Sequence, residues 1–288
     1  MNPTPGALLR AKLNERRGLL VPGCANALAA RVIETLRFEA VYLSGAGLTN
    51  TFYGIPDLGF LHLGDVVQHT AAIRDAVQLP LIVDADTGFG NALNVRQAVR
   101  ALERAGANAI QLEDQVMPKK CGHFAGKGLI DANEMVGKIK AAADARSSDD
   151  FLLIARTDAR AVHGLEEALD RAQRYARAGA DVTFVEAPTS VGELERIAQL
   201  PHPQIVNVVI GGKTPALAVA EFARMGFGMV LYANAALQGA VRGMTNALDR
   251  LRHQGILEED PVLVATFAER QALVHKPLFD ELDRRYAS

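Results

Sequence analysis

The chain has 288 residues, 49% of them hydrophobic and 22% charged, which fits one large globular domain or two ordinary ones. The net charge is −2 and the 31 Lys and Arg residues are scattered, which excludes an extended basic surface for nucleic acid or membrane. No secretory signal begins the chain, no apolar run reaches the ~18 residues that span a bilayer, and two cysteines are too few for a disulfide framework. We expect a cytoplasmic protein that binds neither nucleic acid nor membrane.

Short apolar, β-branched runs alternate with longer amphipathic ones from about residue 18 to residue 253. Eight of the short runs are strand candidates: Gly18–Val21, Ala40–Ser44, Leu81–Ala85, Ala109–Glu113, Leu152–Arg156, Val182–Glu186, Ile205–Val209 and Met229–Tyr232. Helical periodicity follows each strand, most clearly in Asn94–Ala105, Leu165–Ala178 and Pro215–Met225. Three glycines stand where left-handed caps end helices: Gly106, Gly179 and Gly226.

Eight β-then-α units in about 235 residues are the count and length of a (β/α)8 barrel. An open doubly wound sheet is the alternative, but the chain lacks the Gly-x-Gly-x-x-Gly fingerprint of that class. We therefore predict one barrel domain over residues 1–288. Its residues 254–288 form a C-terminal helical extension, because Asp260–Tyr286 predicts one or two further helices outside the eight units.

Two segments are long for connections in a compact domain. Gly45–Leu63 follows the second strand and is rich in glycine, proline and aromatic residues, and Gln115–Ile130 follows the fourth strand. Loops of this length are typical of lids or binding loops. We expect both to border a site.

Polar residues recur where the predicted strands end, which is the catalytic face of a β/α barrel. They are Tyr42, Ser44, Asp84, Asp86, Glu113, Arg156, Glu186, Asn207 and Tyr232. Asp84 and Asp86 are spaced by two, so on a strand they face the same side, and with Glu113 they predict a cation bound by oxygen, Mg²⁺ or Mn²⁺ rather than Zn²⁺. Alternatives are capping of the helix that begins near Asn94 or fixing of a turn for the aspartates, a structural ion pair for Glu113-Asp114, and a solvated loop position for Glu186. Arg156 either neutralises these carboxylates or grips a substrate carboxylate with two hydrogen bonds.

Cys121 lies in Lys119-Lys120-Cys121-Gly122-His123, within the second long loop. The neighbouring cations are expected to lower the pKa of its thiol and to hold it partly as thiolate. Cys24 is expected to be a small buried hydrophobe. Cys121 and His123 do not predict a zinc site, because no second pair has ligand spacing. The other histidines are expected on the surface or in loops: His62, His69, His163, His202, His253 and His275.

At these residues the chain resembles the isocitrate lyase and phosphoenolpyruvate mutase superfamily. The matching segments run in order over nearly the whole chain: Tyr42–Gly45, Pro56–Gly59, Asp84–Gly90, Glu113–Gln115, Lys119–His123, Ala155–Ala159 and Gly211–Pro215. The resemblance implies a (β/α)8 barrel whose terminal helix is exchanged between subunits, in a homodimer or homotetramer. It also implies Mg²⁺ bound mainly through Asp86, with Asp84 and Glu113 acting partly through water.

The resemblance, the positions at the strand ends and the mechanism considered below together give the remaining site residues. Residues at the substrate would be Ser44, Gly45, Ala46, Asp57, Lys119, Gly122 and Asn207. Catalytic residues would be Tyr42, Cys121, His123, Arg156 and Glu186. In the branch that carries the cysteine, which includes methylisocitrate lyase and dimethylmalate lyase, the cysteine protonates the departing enolate. Tyr42 or a water molecule near the metal would be the base.

The leading hypothesis is a Mg²⁺-dependent lyase that breaks a carbon–carbon bond of a 2-hydroxy dicarboxylate, a small carboxylate such as a substituted malate or a methylisocitrate-like acid. Decarboxylation or hydrolysis of oxaloacetate is a second reading. A phosphorus–carbon bond enzyme of the carboxyphosphonoenolpyruvate mutase type is a third, and a keto-acid sensor is the alternative outside enzymes. Ile210 stands where the relatives carry a glutamate, which leaves the substrate open.

Overall fold

The computed structural model of the protein describes residues 3–287. Within them eight parallel strands close into one barrel, each paired with its neighbours in the chain and the last with the first. The strands are β1 (Leu19–Cys24), β2 (Val41–Leu43), β3 (Leu81–Asp84), β4 (Ala109–Glu113), β5 (Leu152–Thr157), β6 (Val182–Val185), β7 (Gln204–Asn207) and β8 (Met229–Tyr232). The predicted barrel is confirmed. β4 and β8 have the predicted bounds, and the other strands differ by one to three residues at an end.

Helices follow the strands around the outside of the barrel. Those of the described chain are α1 (Pro5–Glu15), α2 (Ala27–Thr35), α3 (Gly45–Phe52), α4 (Leu63–Ala76), α5 (Ala92–Arg104), α6 (Ala132–Ala143), α7 (Ala159–His163), α8 (Leu165–Arg177), α9 (Val191–Ala198), α10 (Val219–Met225), α11 (Ala235–Gln254), α12 (Phe267–Leu273) and α13 (Lys276–Tyr286). The three predicted cap glycines have positive φ, as expected. α10 begins four residues later than predicted, because the Glu221 side chain accepts a hydrogen bond from the Ala218 N–H and fixes its first turn there.

The strands bury apolar side chains on both faces, toward the barrel interior and toward the helices. α1, which the strand pattern did not predict, completes the inner core. Its Leu9 and Leu13 are fully buried in one cluster with Leu19, Ala109 and Leu152, which are the first residues of their strands. α1 therefore closes the N-terminal end of the barrel, and burial of two leucines contributes about 3–6 kcal/mol. Only the opposite end is left for a site.

α11 differs from the other long helices because none of its residues is buried. Val241, Met244, Leu248 and Leu251 form an apolar stripe on it, at the three- and four-residue spacing of one helix face, and all are exposed. α12 and α13 lie in the predicted tail and also contain no buried residue. Among the described helices none combines the length and apolar character needed to cross a bilayer.

Candidate active site

The C-terminal ends of the strands bring the predicted polar residues to one mouth of the barrel, around a cavity of about 40 Å³. Twelve residues predicted for the site line it: Tyr42, Ser44, Ala46, Asp57, Asp84, Lys119, Cys121, Gly122, His123, Arg156, Glu186 and Asn207. The other three predicted residues, Gly45, Asp86 and Glu113, contact residues of this lining. Tyr232, another strand-end residue predicted for this face, does not line the cavity. Its neighbour Leu231 faces the cavity, so Tyr232 points the other way and packs on the outer core.

Asp84, Asp86 and Glu113 are held by backbone hydrogen bonds at the ends of β3 and β4. The Gly45 N–H and the Asp86 N–H each donate to the Asp84 carboxylate, both at 3.2 Å. The Glu113 N–H donates to the Asp86 carbonyl at 2.9 Å. β3 ends at Asp84, and Asp86 has a φ of 47°, so a turn rather than strand alternation brings the two aspartates together. The aspartates do not cap α5, because Asn91 does so, whereas the turn-fixing role considered for them holds for Asp84, whose carboxylate accepts the Asp86 N–H.

Burial sets the charge balance of these acids. It raises the pKa of Asp86 to about 6, although Lys119 opposes the rise. Burial likewise raises the pKa of Glu113 well above its ordinary value, against the influence of Arg156. A carboxylate kept from water is costly unless a cation neutralises it. The group therefore favours a bound positive charge.

The residues present fit a hard cation. Oε1 of Glu113 is buried and has no hydrogen-bond partner. A Cβ at Gly45 would stand 3.1 Å from Asp84 Oδ2 and 3.3 Å from Asp86 Oδ1, so the glycine leaves the space beside both carboxylates open. Within residues 3–287 no group of three or more His, Cys, Asp or Glu side chains is already arranged to hold a metal ion by itself. A Mg²⁺ ion here would therefore take part of its shell from water, as Mg²⁺ commonly does.

Lys119 links the acids of the barrel to the second long loop. Its Nζ lies 2.7 Å from Asp57 Oδ1 and 2.8 Å from Asp86 Oδ1, with the side chain 4% exposed. Burial opposes its charge, but Asp86, Glu113 and Asp57 outweigh burial and raise the Lys119 pKa well above its ordinary value. This cation pairs with acids of the site, and it was predicted to contact substrate.

The two long loops have different structures. Gly45–Leu63 contains α3, which the glycine-rich sequence did not predict; Ser44 caps it by accepting the Gly47 N–H at 3.1 Å. The lid, which we define as residues 115–130, contains no helix. Its base is a narrow hairpin in which Gln115 pairs with Leu129. Its tip, residues 119–127, covers the mouth.

Cys121 lies on the tip and lines the cavity, but its ionisation differs from the prediction. Burial raises the pKa of the thiol. The expected thiolate was wrong because the nearby cations have other partners. Lys119 pairs with acids, Lys120 donates to the Gly126 carbonyl at 2.8 Å, and His123 lies 3.0 Å from a Glu186 oxygen. Cys121 is therefore a protonated thiol, the form that can give up a proton.

Arg156 is enclosed by carboxylates. Its Nε and Nη2 donate to the two oxygens of Asp158 at 2.9 and 3.1 Å, and its Nη1 lies 3.2 Å from Glu113 Oε2. Glu186 lies 3.6 Å from Nε and is fully buried, which excludes the solvated loop position considered for it. Although burial opposes it, Arg156 lowers the pKa of Glu186. Arg156 therefore neutralises acids already, and only its remaining edge faces a ligand.

Tyr42 is fixed as a donor by a residue that the sequence did not single out. Its hydroxyl donates to Gln111 Oε1 at 2.8 Å, and the Gln111 amide donates to Asp84 at 3.3 Å. Burial, with Asp84 adding to it, raises the Tyr42 pKa well above its ordinary value. A phenol held protonated is a poor base at neutral pH, which favours the water molecule, the other base considered, over Tyr42.

Other residues of the mouth were also missed. Asp158 pairs with Arg156, Lys127 pairs with Asp158 at 2.5 Å, and Asn234 accepts a hydrogen bond from Ser44 at 3.2 Å. Asp158 follows Arg156 by two positions at the end of β5, a signal that could have found it. Lys127 has no such signal, because a loop lysine is ordinarily solvated.

The neighbours Glu113 and Asp114 have different roles. Asp114 is fully buried and accepts hydrogen bonds from Thr157 Oγ1 at 2.7 Å and Tyr175 at 2.8 Å, away from the cavity. The structural reading considered for the pair therefore holds for Asp114. Ile210, which replaces a glutamate of the relatives, is 52% exposed and outside the cavity lining, while Val209 lines it.

Comparison with known proteins matches residues 9–252 to the phosphoenolpyruvate phosphomutase family. The chain is 41% identical to 2,3-dimethylmalate lyase of Eubacterium barkeri over 98% of both chains. It is 45% identical to 2-methylisocitrate lyase of Aeropyrum pernix over 87% of this chain and 81% of that protein. The predicted superfamily and the lyase class are thereby confirmed.

Solved structures agree with this match. The crystal structure of 2,3-dimethylmalate lyase has a TM-score of 0.92 at 34% identity and covers 99% of this chain and 96% of its own. Oxaloacetate acetylhydrolase in complex with 3,3-difluorooxalacetate has a TM-score of 0.93 at 32% identity, with 100% and 99% coverage. Phosphonopyruvate hydrolase in complex with oxalate and Mg²⁺ has a TM-score of 0.89 at 32% identity, with 99% and 100% coverage. This chain belongs to the phosphoenolpyruvate phosphomutase family, within the superfamily that also contains isocitrate lyase.

Proposed function

We propose that this protein is a Mg²⁺-dependent lyase that cleaves the C2–C3 bond of a 2-hydroxy dicarboxylate of the substituted-malate class. One observation carries the proposal: Cys121 shares a small cavity with acids suited to a cation and with Arg156, and burial raises the pKa of its thiol. Named relatives that cleave dimethylmalate and methylisocitrate support it.

Asp84, Asp86 and Glu113 would hold the cation, as ligands or through water. When bound, Mg²⁺ supplies a positive charge that polarises the α-hydroxy acid end of the substrate and favours carbonyl formation there. Ser44 is 2% exposed and stands at the N-cap of α3, so it orients a carboxylate oxygen with the backbone beside it. The free edge of Arg156, with Asn207, would hold the distal carboxylate.

The bond changes balance without an external reagent. The C2 hydroxyl would give its proton to a water molecule beside the acids at the ends of β3 and β4 and become the carbonyl of a 2-oxo acid, while the C2–C3 electron pair moves to the fragment that carries the distal carboxylate. The Cys121 S–H gives its proton to that carbon, and solvent restores the thiol after the lid opens. The closed lid would keep water out during the step.

The test is release of 2-oxo acid from a panel of acids with Mg²⁺ present. We expect turnover with malates alkylated at C2 or C3, measured by coupled reduction of the oxo acid. Methylisocitrate, oxaloacetate and phosphonopyruvate complete the panel. Turnover of oxaloacetate or phosphonopyruvate alone would overturn the assignment, and binding without turnover across the panel would favour a sensor.

Hydrolysis of oxaloacetate is the second candidate. The likeness to oxaloacetate acetylhydrolase over the whole chain, at a TM-score of 0.93, favours it. Both reactions place negative charge on a carbon next to a carboxylate. They differ in the products, since hydrolysis of oxaloacetate gives oxalate and acetate, and chromatography of the two acids separates the alternatives.

We further propose that a second copy of the chain covers α11. Its stripe of Val241, Met244, Leu248 and Leu251 is exposed, and a contact with another barrel would bury it, as in a dimer or tetramer with exchanged helices. Residues 254–288 would then be an extension of a single barrel domain that contributes to assembly. The two free cysteines fit the reducing cytoplasm. Sedimentation of wild type and Leu248→Glu tests assembly, with dissociation expected in the variant.

A further inference from the structure

A second ion pair of the lid lies apart from the predicted metal ligands. The Lys127 side chain is 1% exposed, and its Nζ lies 2.5 Å from Asp158 Oδ1. The same ammonium donates to the carbonyl of Gly122, at the tip of the lid. The buried charge of Lys127 thus joins two parts of the lid tip to each other and joins the tip to the barrel.

Asp158 is shared between the lid and the arginine of the site. It is fully buried and accepts from Nε and Nη2 of Arg156 while pairing with Lys127. Although burial opposes it, Arg156 and Lys127 lower the pKa of Asp158, so the acid stays charged. One carboxylate therefore contributes both to the orientation of Arg156 and to the closure of the lid.

The other lysines of the lid have different partners. Lys119 contacts Asp57 and Asp86, so its position depends on the predicted metal group. Lys120 is only partly buried and donates to the Gly126 carbonyl, within the lid itself. Of the three, Lys127 is the lysine that joins the lid to the barrel without touching a predicted metal ligand.

We propose that Lys127 is a positioning residue whose ion pair with Asp158 holds the lid closed and thereby sets Cys121 over the reacting carbon. The proposal rests on the proposed lyase function for its catalytic consequence, but closure itself is a property of the protein without substrate. Removing one partner of a buried ion pair leaves a buried unpaired charge, which shifts the equilibrium strongly toward the open lid.

Close packing of the lid tip against the barrel explains why closure would position the Cys121 thiol. Gly122 packs so tightly that a Cβ there would stand 2.4 Å from Arg156 Nη2 and 2.5 Å from Glu186 Cγ. The preceding residue, Cys121, is fixed on its other side because its N–H donates to the Asp57 carbonyl at 3.3 Å. Loss of the hydrogen bond from Lys127 to the Gly122 carbonyl should therefore disturb this close packing.

The direct test is alkylation of Cys121 by iodoacetamide in the full-length protein, with EDTA and without substrate, followed by peptide mass spectrometry. We expect Lys127→Met to react at least about tenfold faster than wild type, because the lid opens. Lys120→Met is the matched control and should react at the wild-type rate. Cys24, 2% exposed in the core, reports unfolding in the same sample.

A double-mutant cycle tests the partner. If Lys127 acts through Asp158, Lys127→Met added to Asp158→Asn should accelerate alkylation far less than it does alone. Multiplied effects would overturn the pairing. Lys127→Gln, which keeps a hydrogen-bond donor, repeats the test should Lys127→Met misfold, and Lys127→Arg should return the rate toward wild type.

The catalytic consequence has its own readout. With a substrate of the panel, Lys127→Met should lower kcat about tenfold or more and change KM less, because Cys121 acts after the substrate is held. Wild-type alkylation rates in both Lys127→Met and Lys127→Gln would overturn the latch even if the protein is a lyase. Fast alkylation with no turnover on any acid would instead support the latch and reject the lyase.

Discussion

The floor of the site and its lid meet at one cavity but are held by different forces. The floor (Asp84, Asp86 and Glu113) is fixed by the hydrogen bonds of strand ends, and its turn is closed by backbone N–H groups. The tip of the lid is joined to the barrel largely by ion pairs of its side chains, Lys119 and Lys127 among them.

Because of this difference, we expect the floor to be permanent and the lid to open and close reversibly. Backbone hydrogen bonds of a closed barrel break only when the barrel unfolds, whereas buried ion pairs weigh their attraction against the cost of removing charges from water. We therefore expect the lid to open without unfolding of the barrel, because opening returns its charges to water. Four experiments on three variants test the division between floor and lid.

The largest effect is expected on the floor. Asp86→Asn removes a carboxylate beside the proposed cation and should lower kcat/KM by about 10³-fold or more, because several kcal/mol of charge stabilisation depend on the metal. Titration calorimetry should show weakened Mg²⁺ binding. Asp75→Asn, an exposed acid of α4, is the control. Wild-type Mg²⁺ affinity in Asp86→Asn would contradict the floor assignment.

On the lid, Cys121→Ser should lower kcat by about 10²–10³-fold, because a general acid is replaced by a hydroxyl that gives up its proton far less readily. Mg²⁺ affinity should be unchanged, which distinguishes this variant from the floor variant. Cys24→Ala removes the other thiol and should keep near-wild-type turnover. Full turnover by Cys121→Ser would exclude the acid role.

The pH dependence of stability tests the buried charge of the floor. The folded-state pKa of Asp86 is raised from 3.8 to about 6, so its contribution is present below pH ~4 and is lost as pH rises through 6. In EDTA, wild type should therefore lose about 3 kcal/mol relative to Asp86→Asn between pH 4 and pH 7. Urea unfolding of both proteins measures it. If the free energies of unfolding of the two proteins changed with pH in parallel, the raised pKa of Asp86 would be contradicted.

The smallest effect is steric. Gly122→Ala places a methyl group 2.4 Å from Arg156 Nη2, so the tip cannot reach its closed position and turnover should fall about tenfold. Gly128→Ala is matched to it within the lid, because its Cβ would meet Val116 at an ordinary 3.6 Å. Equal activity of the two variants would show that the lid tolerates looser closure.

The sequence predicted the floor better than the lid, and the physical reason is distance along the chain. Asp84 and Glu113 end β-branched strands, and the carboxyl ends of parallel strands necessarily meet. Asp158, the partner of Lys127, is 31 positions away along the chain, and no local pattern links the two. Loop lysines are ordinarily solvated, so a buried one appears only in three dimensions.

The ionisation of Cys121 differs from the prediction for a reason that local sequence does not contain. Its neighbours in sequence suggested a lowered pKa for the thiol, yet burial dominates and raises it. Adjacent cations in the chain affect a thiol only if their side chains turn toward it. Pairing with more distant acids decided otherwise for Lys119 and His123.

α11 connects assembly to chemistry. Asn234, which immediately precedes this helix, lines the cavity and accepts a hydrogen bond from Ser44 at 3.2 Å, while the apolar stripe of the same helix is exposed. If a second copy covers the stripe as proposed, any tilt that docking imposes on α11 would reach a side chain of the cavity. Ligand affinity and subunit affinity would then be linked reciprocally, and the KM of a dilute enzyme should depend on protein concentration.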